Sequence, residues 1–572
     1  MKRKQLTFRI RLLSGVILLL GLIVIGRLYQ LQILNNDEYV AKAERQYVHT
    51  SPDLYDRGSI LYETRDGGQL SAAAVRSGYV LAVNPELVTD AAALCDSTAE
   101  HIYLTKEECV DRVTLPNRTY VELEKQLDEE AANQIREYDV DGVFLYRNRW
   151  RYYPGNEVAA RSIGFVGYGD EGNELHGKYG LERQYDDVLY REGETLSVNF
   201  FAELFSNLGS LMQDENLNKT GDVLTTLEPS VSRMLDSVLI EANETYNSRL
   251  TGAIIMDPHT GEIVAMNAVP GFDLNDRRGA TIEEFRNPLV EDLYEFGSTI
   301  KALTMAAGLD HGAVTPNTTY FDSGSIDLDT FTISNFDGRG RGTVPMQEVL
   351  NQSLNTGVSF IVKKMGKENF RDYFLSFKLG SESGIDLPNE VRGLVDNLDS
   401  PRDVEYATAS FGQGIALTPI AAIRALAILG NGGYLVTPHL AKEIHYADGS
   451  VKEIRYPKGA QVLSEETSEE ISRMLSVVVD DALRGGTVAL PNHSIAAKTG
   501  TAQIPDPVNG GYYEDKFLHS FFGYFPAYDP EFIVFMYTVE PKGVRYASET
   551  LTDPFIDITR FLINYYSIPP DR

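Results

Sequence analysis

The most restrictive feature of this sequence is an apolar run without charge from Leu12 to Gly26, after which hydrophobicity continues past Arg27 to Leu34. The 15 residues of the uncharged run span about 22 Å as a helix, which is short of the roughly 30 Å hydrocarbon core of a bilayer. The continuation supplies the missing length, because the Arg27 side chain can extend its charge to the membrane interface. Residues 12–34 are therefore predicted to be a transmembrane anchor that embeds the chain in membrane lipid.

Residues 1–11 hold basic residues and no acidic one, and this imbalance predicts the orientation of the anchor; the basic residues are Lys2, Arg3, Lys4, Arg9 and Arg11. Positive charge beside a membrane span stays in the cytoplasm, so residues 1–11 are predicted to be a cytoplasmic tail. The chain after residue 35 is then expected to lie outside the cytoplasm, on a single-pass protein of the plasma or inner membrane. A cleaved signal peptide is the competing interpretation, but no small-residue cleavage site directly follows the apolar run.

Length and charge narrow the functional classes. A chain of 572 residues exceeds the roughly 250–300 residues at which one hydrophobic core stops growing, so at least two domains are expected. Once the six basic residues of positions 1–34 are set aside, the rest of the chain has 46 basic against 82 acidic residues, a net charge of −36. Such a charge repels phosphate backbones, and nucleic acid is therefore not an expected partner.

The pattern of apolar and polar residues changes near residue 220, and this change predicts a domain boundary. Residues 35–220 are mixed in pattern and predict an extended α+β platform with an inserted head at about 80–145, in which 78–84 and 142–154 read as strands and 119–138 as a helix. After the polar link 213–222, a helical pattern and a hairpin pattern within 251–270 open a second domain, residues 221–572. The expected fold class is α+β with several domains, the second being a sheet covered by helices.

The two cysteines, Cys95 and Cys109, both fall in the predicted head. Outside the cytoplasm a disulfide between them is chemically allowed, and two buried free thiols are the alternative. Neither has a Cys-His context that would make it a candidate nucleophile.

The segment EFGSTIKALT, residues 295–304, contains an S-x-x-K pattern formed by Ser298 and Lys301. Three helical positions amount to nearly a full turn, so the two side chains lie on one face. A lysine in an apolar setting loses its proton more readily, since desolvation disfavours the charged form, and it can then serve as the base for a serine hydroxyl. Gly297 permits a tight turn into the helix. An N-cap serine followed by a solvated lysine is the ordinary alternative.

Two further patterns follow along the chain. Ser353 and Asn355 form S-x-N, which otherwise reads as the capped end of a helix. The second pattern is K-T-G-T in a β-rich run, comprising Lys498, Thr499, Gly500 and Thr501. Strand alternation places Lys498 and Gly500 on one face, where glycine would let a substrate backbone approach closely; an edge strand with an exposed lysine is the alternative. The three patterns in this order form a joint signal that none of them gives alone.

S-x-x-K, S-x-N and K-T-G are the patterns of penicillin-binding proteins and class A β-lactamases. The chain resembles the class B penicillin-binding proteins, anchored D,D-transpeptidases that cross-link peptidoglycan, over nearly its whole length. TGAIIMDPHTGEIVAMNAVPGFDLND (251–276), SFGQGIALTPIAAIRALAILGNGG (410–433) and SFFGYFPAYDPEF (520–532) are similar to blocks around the motifs, and DRGSIL (56–61) and 151–189 to platform motifs. The resemblance implies a dimerisation-type platform for residues 35–220 and, for residues 221–572, a penicillin-binding transpeptidase domain with a central antiparallel sheet.

Three departures accompany the resemblance. Phe296 stands where proline is usual, Ala497 stands where glycine often precedes the lysine, and LYETRDGGQLS (61–71) is longer than the usual segment. The first two are expected to alter the shape of the pocket, and the third to alter local geometry in the platform.

The resemblance also implies roles for the motif residues. Ser298 would attack the penultimate D-alanine carbonyl of a stem peptide and form an acyl-enzyme, with Lys301 as the base. Ser353 would relay the proton to the leaving amine, and Asn355 would hold the donor peptide and Lys301.

The K-T-G-T residues would bind and polarise the same substrate. Lys498 would supply positive potential that favours neutral Lys301 and attracts the substrate carboxylate, which Thr499 and Thr501 would hydrogen bond. The backbone N–H groups of Ser298 and Thr501 would hold the oxyanion, with Gly500 between the two threonines. No cofactor and no metal are expected, since no histidine spacing suggests a metal site.

Alternatives within this family remain open at the level of sequence. A D,D-carboxypeptidase or β-lactamase would use the same motifs with water as acceptor, and an inactive protein of this fold could act as scaffold or sensor. The bifunctional class A type is disfavoured, because no E-D-x-x-F-x-x-H glycosyltransferase motif lies between the anchor and residue 220. The partners that the resemblance implies are peptidoglycan stem peptides ending in D-Ala-D-Ala, β-lactams, and a separate membrane glycosyltransferase of the shape, elongation, division and sporulation group.

Overall fold

A computed structural model describes residues 55–168, 175–191 and 220–572. The predicted cytoplasmic tail and transmembrane anchor, residues 1–34, lie outside these ranges. Within the described ranges, none of the helices combines the length and the apolar character needed to span a bilayer.

The elements before residue 192 are short, apart from strand β3. The strands are β1 (Asp56–Arg57), β2 (Ile60–Glu63), β3 (Gln69–Val83), β4 (Val121–Leu127), β5 (Val143–Tyr152), β6 (Val166–Tyr168), β7 (Leu175–Gly177) and β8 (Tyr190–Arg191). The helices are α1 (Ala91–Thr98), α2 (Lys106–Val113), α3 (Glu129–Glu137), α4 (Ala160–Ile163), α5 (Gly180–Gln184) and α6 (Asp186–Leu189).

From residue 220 onward the helices are longer and more numerous. The strands are β9 (Gly221–Thr225), β10 (Leu250–Met256), β11 (Ile263–Val269), β12 (Thr319–Asp322), β13 (Ser325–Leu328), β14 (Phe331–Ser334), β15 (Gly342–Pro345), β16 (Ala441–Tyr446), β17 (Val451–Glu453), β18 (Ala496–Pro505), β19 (Tyr512–Phe525) and β20 (Phe532–Val539). The α-helices are α7 (Pro229–Thr245), α8 (Ile282–Phe285), α9 (Pro288–Glu291), α10 (Lys301–Asp310), α11 (Met346–Asn351), α12 (Asn355–Met365), α13 (Lys367–Ser376), α14 (Asp403–Ala409), α15 (Pro419–Ala427), α16 (Glu465–Val477), α17 (Ala547–Thr550) and α18 (Thr552–Tyr566). Tighter 3-10 turns occupy Gly297–Ile300, Asp396–Asp399 and Leu483–Gly486, and a π-helical turn occupies Val478–Ala482.

The described chain divides into two compact units. The first contains residues 55–56 and 76–150, and the second contains 57–75, 151–168, 175–191 and 220–572. The unit boundaries fall inside strands β3 and β5. The first unit overlaps the head that the sequence predicts at about 80–145.

In the first unit, β4 and β5 pair with the C-terminal part of β3, and a disulfide between Cys95 and Cys109 joins α1 to α2. Both sulfur-bearing residues are buried in a core that also contains Leu81, Leu123 and Ile135. The disulfide decides between the two states of the cysteines that the sequence left open.

The helix predicted over residues 119–138 is wrong in its first half. The structure has strand β4 over Val121–Leu127 and begins helix α3 only at Glu129, after Asp128 accepts a hydrogen bond from the Ala131 N–H. The Glu and Lys residues of β4 favour a helix locally, but pairing with β3 and burial of Leu123 and Leu127 favour the strand. Tertiary contacts therefore override local propensity here.

The second unit contains a five-stranded antiparallel sheet in the order β11-β10-β20-β19-β18. Alternate residues of β10 point to opposite faces, so that Ala253 and Ile255 pack with α7 and α18 while Ile254 and Met256 pack in the larger core with α10 and α15. The predicted central antiparallel sheet covered by helices is confirmed.

A second sheet of this unit combines strands from both sides of residue 220. Strand β2 runs parallel to β9, with Ile60 opposite Val223, and β9 pairs antiparallel with β16. The domain boundary predicted at residues 220 and 221 therefore falls at the start of a strand that is paired on both edges.

The quoted platform segments meet at one buried carboxylate, Glu182, which has no exposed side-chain surface. It accepts hydrogen bonds from Arg57 Nε at 2.7 Å, from Arg151 Nε at 2.5 Å and from the Tyr153 hydroxyl at 3.2 Å. Arg57 also contacts Asp186 at 2.7 Å, so two guanidinium groups share two carboxylates. The acidic and basic residues of these segments thus neutralise one another away from water, which explains why they occur together.

We expect replacement of Glu182 by alanine to destabilise the second unit by about 3–5 kcal/mol, because two buried guanidinium groups would lose their shared carboxylate. Urea unfolding of the fragment beginning at residue 35, followed by circular dichroism, measures this. Asp187→Asn, an exposed change five positions away, is the matched control and should leave stability nearly unchanged. Equal stability of the two variants would show that the buried network contributes nothing.

Candidate active site

The nucleophile candidate lies on a tight turn at the edge of the central sheet. Gly297 has a left-handed backbone (φ +61°), and the 3-10 turn that it begins leads directly into α10 at Lys301. A Cβ atom at Gly297 would lie 2.8 Å from the Thr501 carbonyl oxygen, so the side-chain-free residue also allows the turn to approach β18. The turn predicted at Gly297 is confirmed, and it leaves Ser298 half-buried in front of the helix.

Lys301 is completely buried, which contradicts the ordinary alternative of a solvated lysine. Its Nζ donates to the Ser353 carbonyl oxygen at 2.5 Å and lies 3.1 Å from the Ser353 hydroxyl. Burial, and secondarily the charge of Lys498, hold the pKa of Lys301 well below its usual value. The amine can therefore be neutral near pH 7, as a general base requires.

Ser353 and Asn355 occupy the joint between α11 and α12. Ser353 has a left-handed backbone (φ +53°), which directs its carbonyl and hydroxyl groups to Lys301. Asn355 begins α12, and its amide donates to the Ser334 carbonyl oxygen at 2.8 Å. In the described part of the chain, Lys301 is thus held by Ser353, whereas the resemblance assigned that contact to Asn355.

A buried polar cluster behind this joint was missed by the sequence analysis. The Thr356 hydroxyl donates to Asp322 at 2.8 Å, and the Asn335 amide donates to both carboxylate oxygens of Asp322 at 3.0 Å. All three residues are buried, and they connect α12 to β12 and to the end of β14. No local pattern reveals a partner such as Asn335, which lies 21 residues from Thr356.

Strand β18 carries Lys498 and Gly500 on its buried face and Thr499 and Thr501 on its half-buried face. A Cβ atom at Gly500 would lie 2.4 Å from the Phe296 carbonyl oxygen and 2.3 Å from the Ser520 hydroxyl. The glycine is therefore required by the nucleophile turn of the same chain. That it also lets a substrate backbone approach closely stays a prediction.

The second lysine, Lys498, is also buried, and its Nζ donates to the Thr499 carbonyl oxygen at 3.1 Å. Burial lowers the pKa of Lys498 to about 8, so it carries a proton at pH 7 and places a positive charge beside Lys301. Two buried lysines of unequal pKa are a pair suited to distinct roles, one neutral and one charged.

Thr501 is fixed from the side of α17. Its hydroxyl oxygen accepts from the Ala547 N–H at 3.0 Å, which leaves the hydroxyl hydrogen available to a carboxylate. Across the sheet Thr501 pairs with His519, a buried residue whose pKa burial lowers to about 4 and whose ring contacts Thr550 and the Arg545 carbonyl oxygen. The middle of β18, where Thr501 lies, is thus paired with a strand that carries a neutral imidazole.

Both single-residue departures from the family pattern have a packing explanation. Phe296 is buried, with its ring edge-on to Phe535 at 4.8 Å, and its carbonyl oxygen accepts from the Ser520 hydroxyl at 2.6 Å. Ala497 packs on the opposite face of the sheet with α18, in the core cluster that contains Phe555. The expectation that Ala497 alters the pocket is therefore wrong. Phe296 supports the nucleophile turn through its ring contact with Phe535 and the hydrogen bond to its carbonyl oxygen.

The three motifs therefore meet. The 3-10 turn packs on β18, Lys301 contacts Ser353, and the charge of Lys498 lowers the pKa of Lys301. In the described ranges, no group of three or more His, Cys, Asp or Glu residues is arranged to hold a metal ion. What the geometry offers is a half-buried serine on the turn that leads into a buried amine, with a positive charge nearby, which suits acyl transfer through a serine ester.

Comparison with known proteins identifies the family. The penicillin binding protein transpeptidase domain matches residues 251–559, and the penicillin-binding protein dimerisation domain matches residues 56–195. Stage V sporulation protein D of Bacillus subtilis is 31% identical, over 97% of this chain and 84% of that protein. The peptidoglycan D,D-transpeptidase FtsI of Escherichia coli K12 is 26% identical, over 99% of this chain and 93% of that protein.

A solved structure supports the fold. Penicillin-binding protein 2X from Streptococcus thermophilus superposes with a TM-score of 0.70 at 21% identity, covering 90% of this chain and 80% of that one. The chain belongs to the penicillin-binding proteins with a transpeptidase domain. The additional dimerisation domain places it among the class B members of that family.

Proposed function

We propose that Ser298 of this peptidoglycan D,D-transpeptidase attacks the carbonyl of the penultimate D-alanine of a stem peptide. The Ser298 hydroxyl proton passes to Lys301 Nζ as the new ester bond forms. The amide bond to the terminal D-alanine then breaks, and the leaving amine takes up a proton through Ser353. In the second half-reaction, an amine of a neighbouring stem peptide attacks the ester and regenerates Ser298, which forms the cross-link.

The observation that carries this proposal is the complete burial of Lys301 beside Ser353. A buried ammonium without a carboxylate partner is unfavourable, and the nearby charge of Lys498 disfavours an ammonium at Lys301 further, so Lys301 is neutral and can accept the serine proton. Lys498 retains its proton and supplies the positive charge that a substrate carboxylate needs. We assign the hydrogen bonds to that carboxylate to Thr499 and Thr501, which lie on the half-buried face of β18.

The oxyanion of the tetrahedral intermediate is assigned to the backbone N–H groups of Ser298 and Thr501. The turn that carries Ser298 packs against the Thr501 carbonyl and against Gly500, and this close approach supports the assignment. Each such donor is worth about 2.7–4 kcal/mol of transition-state stabilisation in a serine protease.

The dimerisation domain match and the relatives named as D,D-transpeptidases favour cross-linking over hydrolysis. β-Lactams are then inhibitors that acylate Ser298 in place of the stem peptide. For the polymerisation of glycan strands, we assign the partner role to a separate membrane glycosyltransferase of the shape, elongation, division and sporulation group, and co-purification with the full-length chain from solubilised membranes tests it.

We expect a β-lactam to label the fragment beginning at residue 35 covalently at Ser298 alone. Peptide mass spectrometry after incubation with benzylpenicillin locates the adduct, and Ser298→Ala should abolish it. The Ser353→Ala variant is the comparison, because it should slow labelling while leaving the adduct on residue 298. An adduct on any other serine would contradict the assignment of the nucleophile.

The two lysines should respond differently to arginine. The acylation rates of Lys301→Ala and Lys301→Arg should both be near zero, because alanine has no basic group and a guanidinium does not lose its proton in a protein. Lys498→Arg should retain measurable acylation. In the wild type the rate should fall about tenfold from pH 7 to pH 9, as Lys498 loses its proton with a pKa of about 8.

In Lys498→Arg this alkaline fall should disappear, because the guanidinium stays charged. Stopped-flow acylation rates measure both effects, and Lys452→Arg on exposed strand β17 is the matched control. A Lys301→Arg variant as active as Lys498→Arg would mean that Lys301 acts through charge alone.

We further expect the anchor, residues 12–34, to remain attached and the two described units to face the outside of the cell. External protease should remove both units from intact cells or spheroplasts while leaving a cytoplasmic marker intact. A mature N-terminus near residue 35, or protection of both units, would contradict this placement.

A further inference from the structure

Glu295 lies three residues before Ser298 and is a largely buried carboxylate that the family motifs do not use. Its Oε1 accepts from the Gly414 N–H at 3.1 Å, and the Tyr512 hydroxyl lies 3.0 Å from Oε2 and 3.2 Å from Oε1. One side chain therefore ties together three segments: the approach to the nucleophile turn, the glycine turn at 412–414, and the β18–β19 hairpin.

Tyr512 lies at the far end of that hairpin, away from Thr501. Tyr512 begins β19 opposite Pro505, the last residue of β18, and beyond them the loop 506–511 is mostly exposed. The strand from Thr501 to Pro505 is about 13 Å long. Nearer the motif, the hairpin is fastened to the turn by the hydrogen bond from Ser520 to the Phe296 carbonyl. Glu295 and Tyr512 provide a second attachment at the far end.

Strand β19 pairs with β20 over residues 518–525, so the end of the hairpin from Tyr512 to Phe517 lies beyond that pairing, and the contact of Tyr512 with Glu295 ties this end to the turn. Phe296 and Glu295 are adjacent in sequence, and their partners, Ser520 and Tyr512, are eight positions apart on β19. Thr501 pairs with His519, directly beside this end, so the way the end is held bears on where the Thr501 N–H group lies relative to the turn that carries Ser298.

We propose that Glu295 is a positioning residue that latches the β18–β19 hairpin to the nucleophile turn through Tyr512 and thereby sets the spacing of the two oxyanion donors. This inference rests on the proposed function of Ser298 and Thr501, and it names a determinant of the acylation step that lies outside the three motifs. The latch touches no reacting atom, so its effect falls on the rate of acyl transfer and spares the initial binding of substrate.

The energetic cost of Glu295 supports a dedicated role. Burial raises the pKa of its carboxyl group to about 7, and the donors Tyr512 and Gly414 only partly oppose that effect. A glutamine or an apolar residue would be easier to bury at this position.

A double-mutant cycle tests the latch. We would prepare Glu295→Ala, Tyr512→Phe and the double variant, and measure the dissociation constant of the initial complex with a fluorescent penicillin separately from the first-order acylation rate constant. Each single variant should lower the acylation rate constant about tenfold and change the dissociation constant less than about threefold. The double variant should be no slower than the slower single variant, because both changes remove the same contact.

Tyr513→Phe is the matched control, since it removes a hydroxyl from the neighbouring residue of the same strand, where the ring packs with Lys516. Its acylation rate constant should stay within about twofold of wild type. Glu295→Gln, which keeps one acceptor oxygen, should recover part of the rate lost in Glu295→Ala. If Glu295→Ala does not fold, Tyr512→Phe alone decides, because it deletes one oxygen from a residue that is 38% exposed.

Unchanged acylation in Tyr512→Phe, multiplicative losses in the double variant, or an equal loss in Tyr513→Phe would each overturn the latch. These outcomes are distinguishable from failure of the proposed function. If the proposed function were wrong, the adduct would be absent from Ser298 even in the wild type. If only the latch were wrong, the adduct would remain on Ser298 in every variant.

Discussion

The contact between the nucleophile turn and strand β18 is the constraint on which the rest of the site depends. Gly297 and Gly500 lack side chains where the two segments touch, and the Phe296 carbonyl fills the space that a Cβ at residue 500 would need. Because the backbones meet directly, groups from residues 298 and 501 can act on a single atom of a substrate. A methyl group at either glycine would have to push the two segments apart, and close-packed interiors transmit such a shift.

Close packing around the site also buries Lys301, and this burial lowers the pKa of its amine. The protein as a whole is acidic, yet the two most buried lysines of the described residues lie close enough in the site for the charge of Lys498 to lower the pKa of Lys301. Desolvation lowers the pKa of both lysines, and the additional repulsion from Lys498 lowers that of Lys301 further. The protein thus uses low dielectric and a like charge, in place of a histidine, to obtain a base near neutral pH.

The sequence alone predicted what depends on local pattern or on the recognised motifs. The apolar residues after Lys301, the turn at Gly297 and the hairpin pattern within 251–270 led to the correct elements and to a buried lysine. It could not predict what depends on partners distant in the chain. The polar cluster around Asp322 needs Asn335 and Thr356, the reason for Gly500 lies at Phe296, and β4 is a strand only because β3 is beside it. Each of these is a tertiary contact between segments whose local sequences carry no sign of one another.

The pairing of β9 has a consequence for how this protein can be divided. Strand β9 starts where the two regions of sequence meet, and it has β2 on one edge and β16 on the other. A chain cut at residue 221 would keep the catalytic residues but would expose the backbone N–H and C=O groups of one edge of β9 to any passing strand. Open edges of this kind invite pairing between molecules. By covering that edge, strand β2 therefore protects the catalytic half from such association.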